Sequence, residues 1–227
     1  DVVDCAMDAF SGSTSQPCLG SVLETLQNTE RVSSVRIDEV RDISNYWLTV
    51  RKQYSAFDQG VTFPASEVYL HEMPGGQFTN LLSQAKSLGL TDKWPEIAKT
   101  YSDVNQLFGD IVKVTPSSKV VGDMALLMIS QGLTKEQVQD PKIKVAFPES
   151  VLDMLRGNLG QPPGGFPKSI VKKALGEGEI FTGRPGLRIK QKSLDKVRDE
   201  ACSDLALSEI DEEDFCSYLM YPKIFAE

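Results

Sequence analysis

The sequence predicts a mostly α-helical chain that opens on one short strand. Three observations carry the prediction. Apolar residues recur at alternating spacings of three and four in several long segments, the mark of a one-sided helix. Clusters of Pro and Gly punctuate those segments. The strand-like stretches are short: the opening Asp1-Val-Val-Asp-Cys-Ala-Met7 and the β-branched run Ile111 to Val114.

Taken in order, Asp1 to Met7 is expected to be a buried strand, and a core strand as the first element implies a chain cut partway through its fold. A polar turn, Ser11-Gly-Ser-Thr-Ser15, follows, and Pro17 suits the first turn of a helix beginning near Ser15. From Asp38, the positions Val40, Ile43, Trp47, Val50 and Tyr54 lie on one face of a long helix that needs a packing partner. A loop through Pro64 and Pro74-Gly75-Gly76 leads to a helix from near Gln77 to Gly89. Thr91 then suits the cap of a helix carrying Trp94, Ile97, Tyr101, Val104 and Phe108 and stopping at Gly109. Ile111 to Val114 precedes Thr115-Pro116 and a further amphipathic helix with Val120, Met124, Leu127 and Met128, which sets Thr115 at a strand-to-helix junction. Beyond Pro148 the helices shorten. Gly160-Gln-Pro-Pro-Gly-Gly-Phe-Pro167 is a stiff connection, and a domain boundary is expected there, giving 1–160 and 161–227. Helices over Leu194–Leu205 and Asp211–Tyr221 close the chain, the last with an acidic first turn and stopped by Pro222.

Composition narrows the function. With 227 residues, 41% of them hydrophobic, the chain can bury a sizeable core in one or two domains. A net charge of -8 argues against a phosphate-binding surface, so no nucleic-acid partner is expected. No window approaches the roughly 20 consecutive apolar residues of a membrane span, and the N-terminus lacks the features of a signal peptide, so no membrane association is expected. Cys5, Cys18, Cys202 and Cys216 form no C-x-x-C and are expected as reduced, buried thiols. His71 is the one histidine, and no metal-ligand spacing accompanies it; there is no second histidine four residues on. No nucleotide fingerprint occurs: Gly176-Glu-Gly178 lacks the third glycine.

Several long motifs occur in series: Asp8-Ala-Phe-Ser-Gly-Ser-Thr-Ser-Gln-Pro17, His71-Glu-Met-Pro-Gly-Gly-Gln-Phe-Thr-Asn80, Lys113-Val-Thr-Pro-Ser-Ser-Lys-Val-Val-Gly-Asp123 and Phe147-Pro-Glu-Ser150. Gly160 to Pro167, Gly183-Arg-Pro-Gly186 and Tyr218-Leu-Met-Tyr-Pro222 continue the series. In order and spacing the chain resembles the pyruvate carboxylase family over its carboxyltransferase region, from the barrel toward the tetramerisation region. The resemblance implies an α/β TIM-type barrel of which this chain holds only the C-terminal part, the last strand, followed by a mostly α-helical funnel. It implies the transfer of a carboxyl group from carboxybiotin to pyruvate, giving oxaloacetate. Biotin would arrive on a carrier domain outside this chain, a divalent metal, Zn or Mn, would be held by upstream residues with no metal ligand here, and ATP and bicarbonate would be used by another domain. A homotetramer is implied too, and the wording of the motifs is closer to bacterial members, which gives the cytoplasm as the expected compartment, with the mitochondrial matrix as the alternative.

In that reaction pyruvate loses a methyl proton while the biotin ring nitrogen gains one, and a hydroxyl both donates and accepts. The resemblance makes Thr115 that proton shuttle, puts Ser118 in the biotin pocket and sets Lys119 beside the reacting groups, where an ammonium offsets enolate or carboxylate charge. A helix N-terminus beside them would add backbone donors. From the residues alone, Thr followed by Pro with Ser three residues on reads first as an ordinary helix cap, and it is the family resemblance that turns the reading to the shuttle. Asp8, Ser11 and Gln16, on the loop after the last barrel strand, are secondary candidates, since TIM-type barrels carry functional groups on such loops; the same residues also suit a plain turn and cap. His71 and Glu72 beside Pro74-Gly75-Gly76 are expected as a structural loop whose glycines permit close backbone approach. The competing readings are a related oxaloacetate decarboxylase or transcarboxylase subunit and, in another class, a non-catalytic assembly or allosteric module. An isolated fragment is expected to be inactive, because one strand closes no barrel.

Overall fold

The computed structural model describes residues 2–12, 14–58 and 65–225. It forms two compact units, Asp1–Thr182 and Gly183–Glu227. The division falls after Thr182, and the Gly160–Pro167 connection lies inside the first unit.

Among the described residues there is no strand. The expected opening strand reduces to one isolated parallel bridge between Ala6 and Cys18, closed by Ala6 N–H to Pro17 O at 2.8 Å and Leu19 N–H to Ala6 O at 2.9 Å. Asp1 lies outside the described residues, and Val2 and Val3 are exposed. A strand is held by a ladder and a buried face, and residues 2–7 have neither here. Ile111 to Val114 is likewise not a strand. The barrel part implied by the family resemblance is therefore not formed among the described residues; the helical part is.

The first helix, α1 (Leu19–Leu26), starts later than Ser15. The Pro17 carbonyl is tied to Ala6, which keeps Pro17 outside the helix. Next, α2 (Ile37–Gln53) is the predicted long helix, but only Val40 and Ser44 are buried on it. Ile43, Trp47 and Tyr54 of the predicted face are exposed. Trp47 packs edge-on against Phe10 at 5.7 Å and Tyr46 at 5.3 Å, while Arg51 reaches the Ala9 carbonyl at 2.7 Å. The part of the following loop at 59–64, Pro64 included, lies outside the described residues.

The short α3 (Val68–His71) leads through the Pro74 turn to α4 (Gly75–Ser87), which begins two residues before Gln77, with Pro74 just ahead of it. Thr91–Lys93 is a separate 3-10 turn, so Thr91 does not cap α5 (Trp94–Leu107). The predicted face of α5 is realised: Trp94, Ile97, Tyr101, Val104 and Phe108 are all buried. Together with Leu81 and Leu82 of α4 and Val121, Met124 and Met128 of α6 (Ser117–Gln131), they build one core. Chain reversals complete it: Gly109 at φ 91° ends the α5 segment and Gly132 at φ 65° ends α6, conformations a side chain resists. Three short helices, α7 (Lys135–Gln139), α8 (Glu149–Leu155) and α9 (Lys168–Leu175), complete the first unit. A capping box, Thr134 with Gln137, starts α7.

The second unit holds α10 (Leu194–Asp204), α11 (Glu212–Met220) and α12 (Pro222–Phe225) around a small core of Ala201, Ile210, Phe215 and Tyr218. Ser193 and Asp211 cap the two longer helices through their side chains. The acidic run is thus a capped helix start. Pro222 does more than stop α11, since it opens α12. Of the four thiols, all free, none is fully buried and Cys216 is exposed.

Candidate functional site

Ile111 is buried in the main core and anchors the segment that leads to Thr115. The Thr115–Pro116 peptide is cis, and α6 begins one residue later, at Ser117. Thr115 is not the helix cap: no side chain caps α6, and the hydroxyl that closes the junction belongs to Ser117. Its Oγ accepts the Val114 N–H at 3.1 Å and lies 2.8 Å from the Val112 carbonyl oxygen and 2.6 Å from that of Val114. Thr115 itself is exposed, and its hydroxyl makes no hydrogen bond among the described residues.

A cleft of about 340 Å³ opens at this point. Thr115, Pro116 and Ser117 form one side; Met154 of α8 and the Gly160–Pro163 and Phe166 stretch form the other. That volume suits a small ligand. The proline- and glycine-rich segment that the sequence presents as a connection is the facing wall. Gln161 fixes it, its Nε2 donating to the Phe181 carbonyl at 3.0 Å.

Ser118 and Lys119 do not line that cleft. Ser118 is buried, with its carbonyl accepting the Tyr101 hydroxyl at 3.3 Å; burial pushes the Tyr101 phenol far up, which keeps it a neutral donor. Lys119 is exposed and bonded to Asp123 at 2.6 Å one turn on, and Ser150 donates to the same carboxylate oxygen at 2.7 Å. The backbone donors expected from the helix start are engaged internally: Ser118 N–H points to Val114 O, and Lys119 and Val120 N–H to Pro116 O.

Asp8, Ser11 and Gln16 form a turn away from the cleft walls. The Asp8 carboxylate accepts the Gly20 N–H at 2.7 Å at the start of α1, the Ser11 hydroxyl donates to Asp8 O at 2.9 Å, and Gln16 is exposed, its carbonyl accepting from Ser15 Oγ. Ser13 lies outside the described residues. The turn is joined to the His71–Gly76 motif by backbone proximity: a Cβ on Gly75 would stand 2.0 Å from the Thr14 carbonyl oxygen. This is the close approach those glycines were expected to serve.

His71 is buried, and its Nδ1 accepts the Met73 N–H at 2.9 Å. Burial lowers its pKa, against an opposing effect of Glu67, so the ring is neutral and structural. Glu72 takes a left-handed conformation at φ 55° and bonds Lys113 at 2.8 Å. That hydrogen bond and the lysine charge hold its carboxyl below the usual range. Sequence reasoning passed over this Lys113–Glu72 pair and the Ser117 hydroxyl; the adjacency of Lys113 and Ser117 to Thr115 was the available signal. Among the described residues no three His, Cys, Asp or Glu side chains group as metal ligands. A metal does not fit these described residues.

This helical fold, with a hydroxyl-lined cleft at one helix start, has clear relatives. A model described as the conserved carboxylase domain matches residues 68–227, and the chain belongs to that family. Within it, the chain corresponds to part of the carboxyl transferase region of pyruvate carboxylases. It is 43% identical over 227 residues to pyruvate carboxylase of Bacillus subtilis, covering 100% of this chain and 20% of that protein. It is 42% identical to pyruvate carboxylase 1 of Caenorhabditis elegans, covering 19% of it. The carboxyl transferase domain of Rhizobium etli pyruvate carboxylase, solved with 3-bromopyruvate, is 56% identical at a TM-score of 0.89, over 99% of this chain and 38% of that one. The same domain solved with pyruvate and biocytin gives a TM-score of 0.88. The chain thus spans about a fifth of the length of these curated relatives.

Proposed function

We propose that this chain serves the carboxyltransferase half-reaction of a biotin-dependent pyruvate carboxylase, with Thr115 as the proton shuttle. The observation that carries the reading is the exposed Thr115 hydroxyl, without a hydrogen-bond partner among the described residues, at the edge of the 340 Å³ cleft. A hydroxyl with no partner among its own residues has both its proton and its lone pairs available to substrates. Thr115 accepts the methyl proton of pyruvate and gives its own proton to the biotin ring nitrogen, so that no net proton is lost. Its own pKa is too high for a free base, and the two transfers are coupled. Biotin supplies the carboxyl group when its carrier domain delivers it.

Lys119 is held by Asp123, and its role in this reading is to keep a cation one helical turn from the reacting groups. Ser118 supports the biotin pocket from the buried side of α6. The metal, ATP and bicarbonate are assigned to parts of the enzyme outside this chain, the assembly to a homotetramer and the compartment to the cytoplasm. The pyruvate and biocytin named with the Rhizobium etli domain support the choice of ligands.

The test is oxaloacetate formation from pyruvate, ATP and bicarbonate by the full-length enzyme. Wild type is expected to turn over, and Thr115→Ala to lose the transfer while ATP-dependent carboxylation of biotin survives. A wild type that only decarboxylates oxaloacetate would move the reading to a decarboxylase or transcarboxylase relative. Full activity with Thr115→Ala would leave the chain as an assembly module.

A further inference from the structure

We propose that Ser117 is a positioning residue for Thr115, a role that rests on the shuttle reading above. Because the Thr115 hydroxyl has no partner among the described residues, its location is set by the backbone on either side. Downstream, the Pro116 carbonyl is locked into α6 by the N–H groups of Lys119 at 3.1 Å and Val120 at 3.3 Å. Upstream, Val112 to Val114 has no ladder to hold it. One side chain supplies what the ladder would.

Ser117 Oγ accepts from Val114 N–H at 3.1 Å and has two carbonyl oxygens, of Val112 and Val114, at 2.8 and 2.6 Å. A hydroxyl has one proton, so it donates to one of these carbonyls at a time. Three backbone groups just ahead of Thr115 are therefore gathered by a single oxygen. The second tie on this segment is the Lys113–Glu72 pair at 2.8 Å, which fixes it toward the α3 end but leaves Val114 to Ser117. Although Ser117 also lines the cleft, its proton and an acceptor site are committed to backbone, which separates it from a group that reacts. A relay must stand within hydrogen-bond reach of both its proton donor and its acceptor, and misplacement on the scale of an ångström is costly.

The test uses the full-length enzyme with Ser117→Ala, Ser117→Thr, Thr115→Ala and the Ser117→Ala/Thr115→Ala double variant. Ser117→Ala is expected to lower kcat for carboxyl transfer by about ten- to a hundredfold, with little change in KM for pyruvate. Biotin carboxylation stays at the wild-type level, and amide exchange at Val114 accelerates. Ser117→Thr, which keeps the hydroxyl, restores transfer. In the Thr115→Ala background, removing Ser117 causes no further loss, because a group that acts only through Thr115 has nothing left to act on. Wild-type kcat or unchanged Val114 protection in Ser117→Ala overturns the proposal, as does a full additional loss in the double variant. An inactive Thr115→Ala beside an unaffected Ser117→Ala overturns this inference alone, whereas a fully active Thr115→Ala overturns the shuttle reading and this one with it.

Discussion

His71 shows how far a single residue's environment decides its role. Its ring is buried, its Nδ1 accepts from the Met73 amide, and burial lowers its pKa from 6.5. The neutral ring is therefore the form that the fold stabilises. Its contribution is complete above pH 6.5 and is lost as pH falls below that value through the lower folded pKa. As the chain has one histidine, an NMR titration of this chain should show a single imidazole midpoint below 6.5; a midpoint at or above it would contradict the burial argument. Glu72 has the same sign on a lower scale: its pairing with Lys113 persists above pH 4.5 and fails as acid drives protonation. At this scale the sequence pattern was misleading for structure. The Thr-Pro-Ser-Ser pattern points to Thr115 as a cap, yet α6 starts after Pro116, and the Ser117 hydroxyl, not Thr115, bridges back to the preceding segment. Propensity records which residue types can cap; it does not record which hydroxyl the backbone turns inward.

Helix periodicity predicted α5 well because its whole apolar face meets α4 and α6 within the same unit, so pattern and burial coincide. The same pattern on α2 gave a correct helix and a wrong burial: Ile43, Trp47 and Tyr54 are exposed. Spacing reports that a helix is one-sided, not whether its partner lies among these residues. The short helices α7 to α9 and the cleft wall at Gly160–Phe166 were not legible as elements of a site, since Pro and Gly mark only a chain reversal. Glycine does carry a testable packing statement at Gly75. Alanine is the better helix former, but a Cβ there would meet the Thr14 carbonyl oxygen at 2.0 Å. Gly75→Ala should therefore destabilise the protein by about 1–3 kcal/mol, as overpacking does, in denaturant unfolding. Equal or higher stability would show that the Thr14 turn yields freely.

The molecule is built as two units of very different core size, and the smaller one rests on Ala201, Ile210, Phe215 and Tyr218. Phe215 is buried there with the Arg198 guanidinium 4.1 Å above its ring. Phe215→Ala, costing about 3–5 kcal/mol, should raise amide exchange across α10 and α11 while α5 and α6 keep their protection; loss of protection in α5 as well would mean that the units unfold together. At this scale the family was legible only through the motif series, because helical periodicity names no reaction, and the barrel part that the resemblance implies is not formed among the described residues. The most direct measurement of the central claim is transfer of labelled carboxyl from bicarbonate to pyruvate in the full-length enzyme carrying Thr115→Val or Thr115→Ser. Valine keeps the shape without the hydroxyl; serine keeps the hydroxyl without the methyl. If Thr115 relays the proton, the valine variant falls by about a hundredfold or more while the serine variant retains transfer. A valine variant that transfers carboxyl at the wild-type rate would contradict the account.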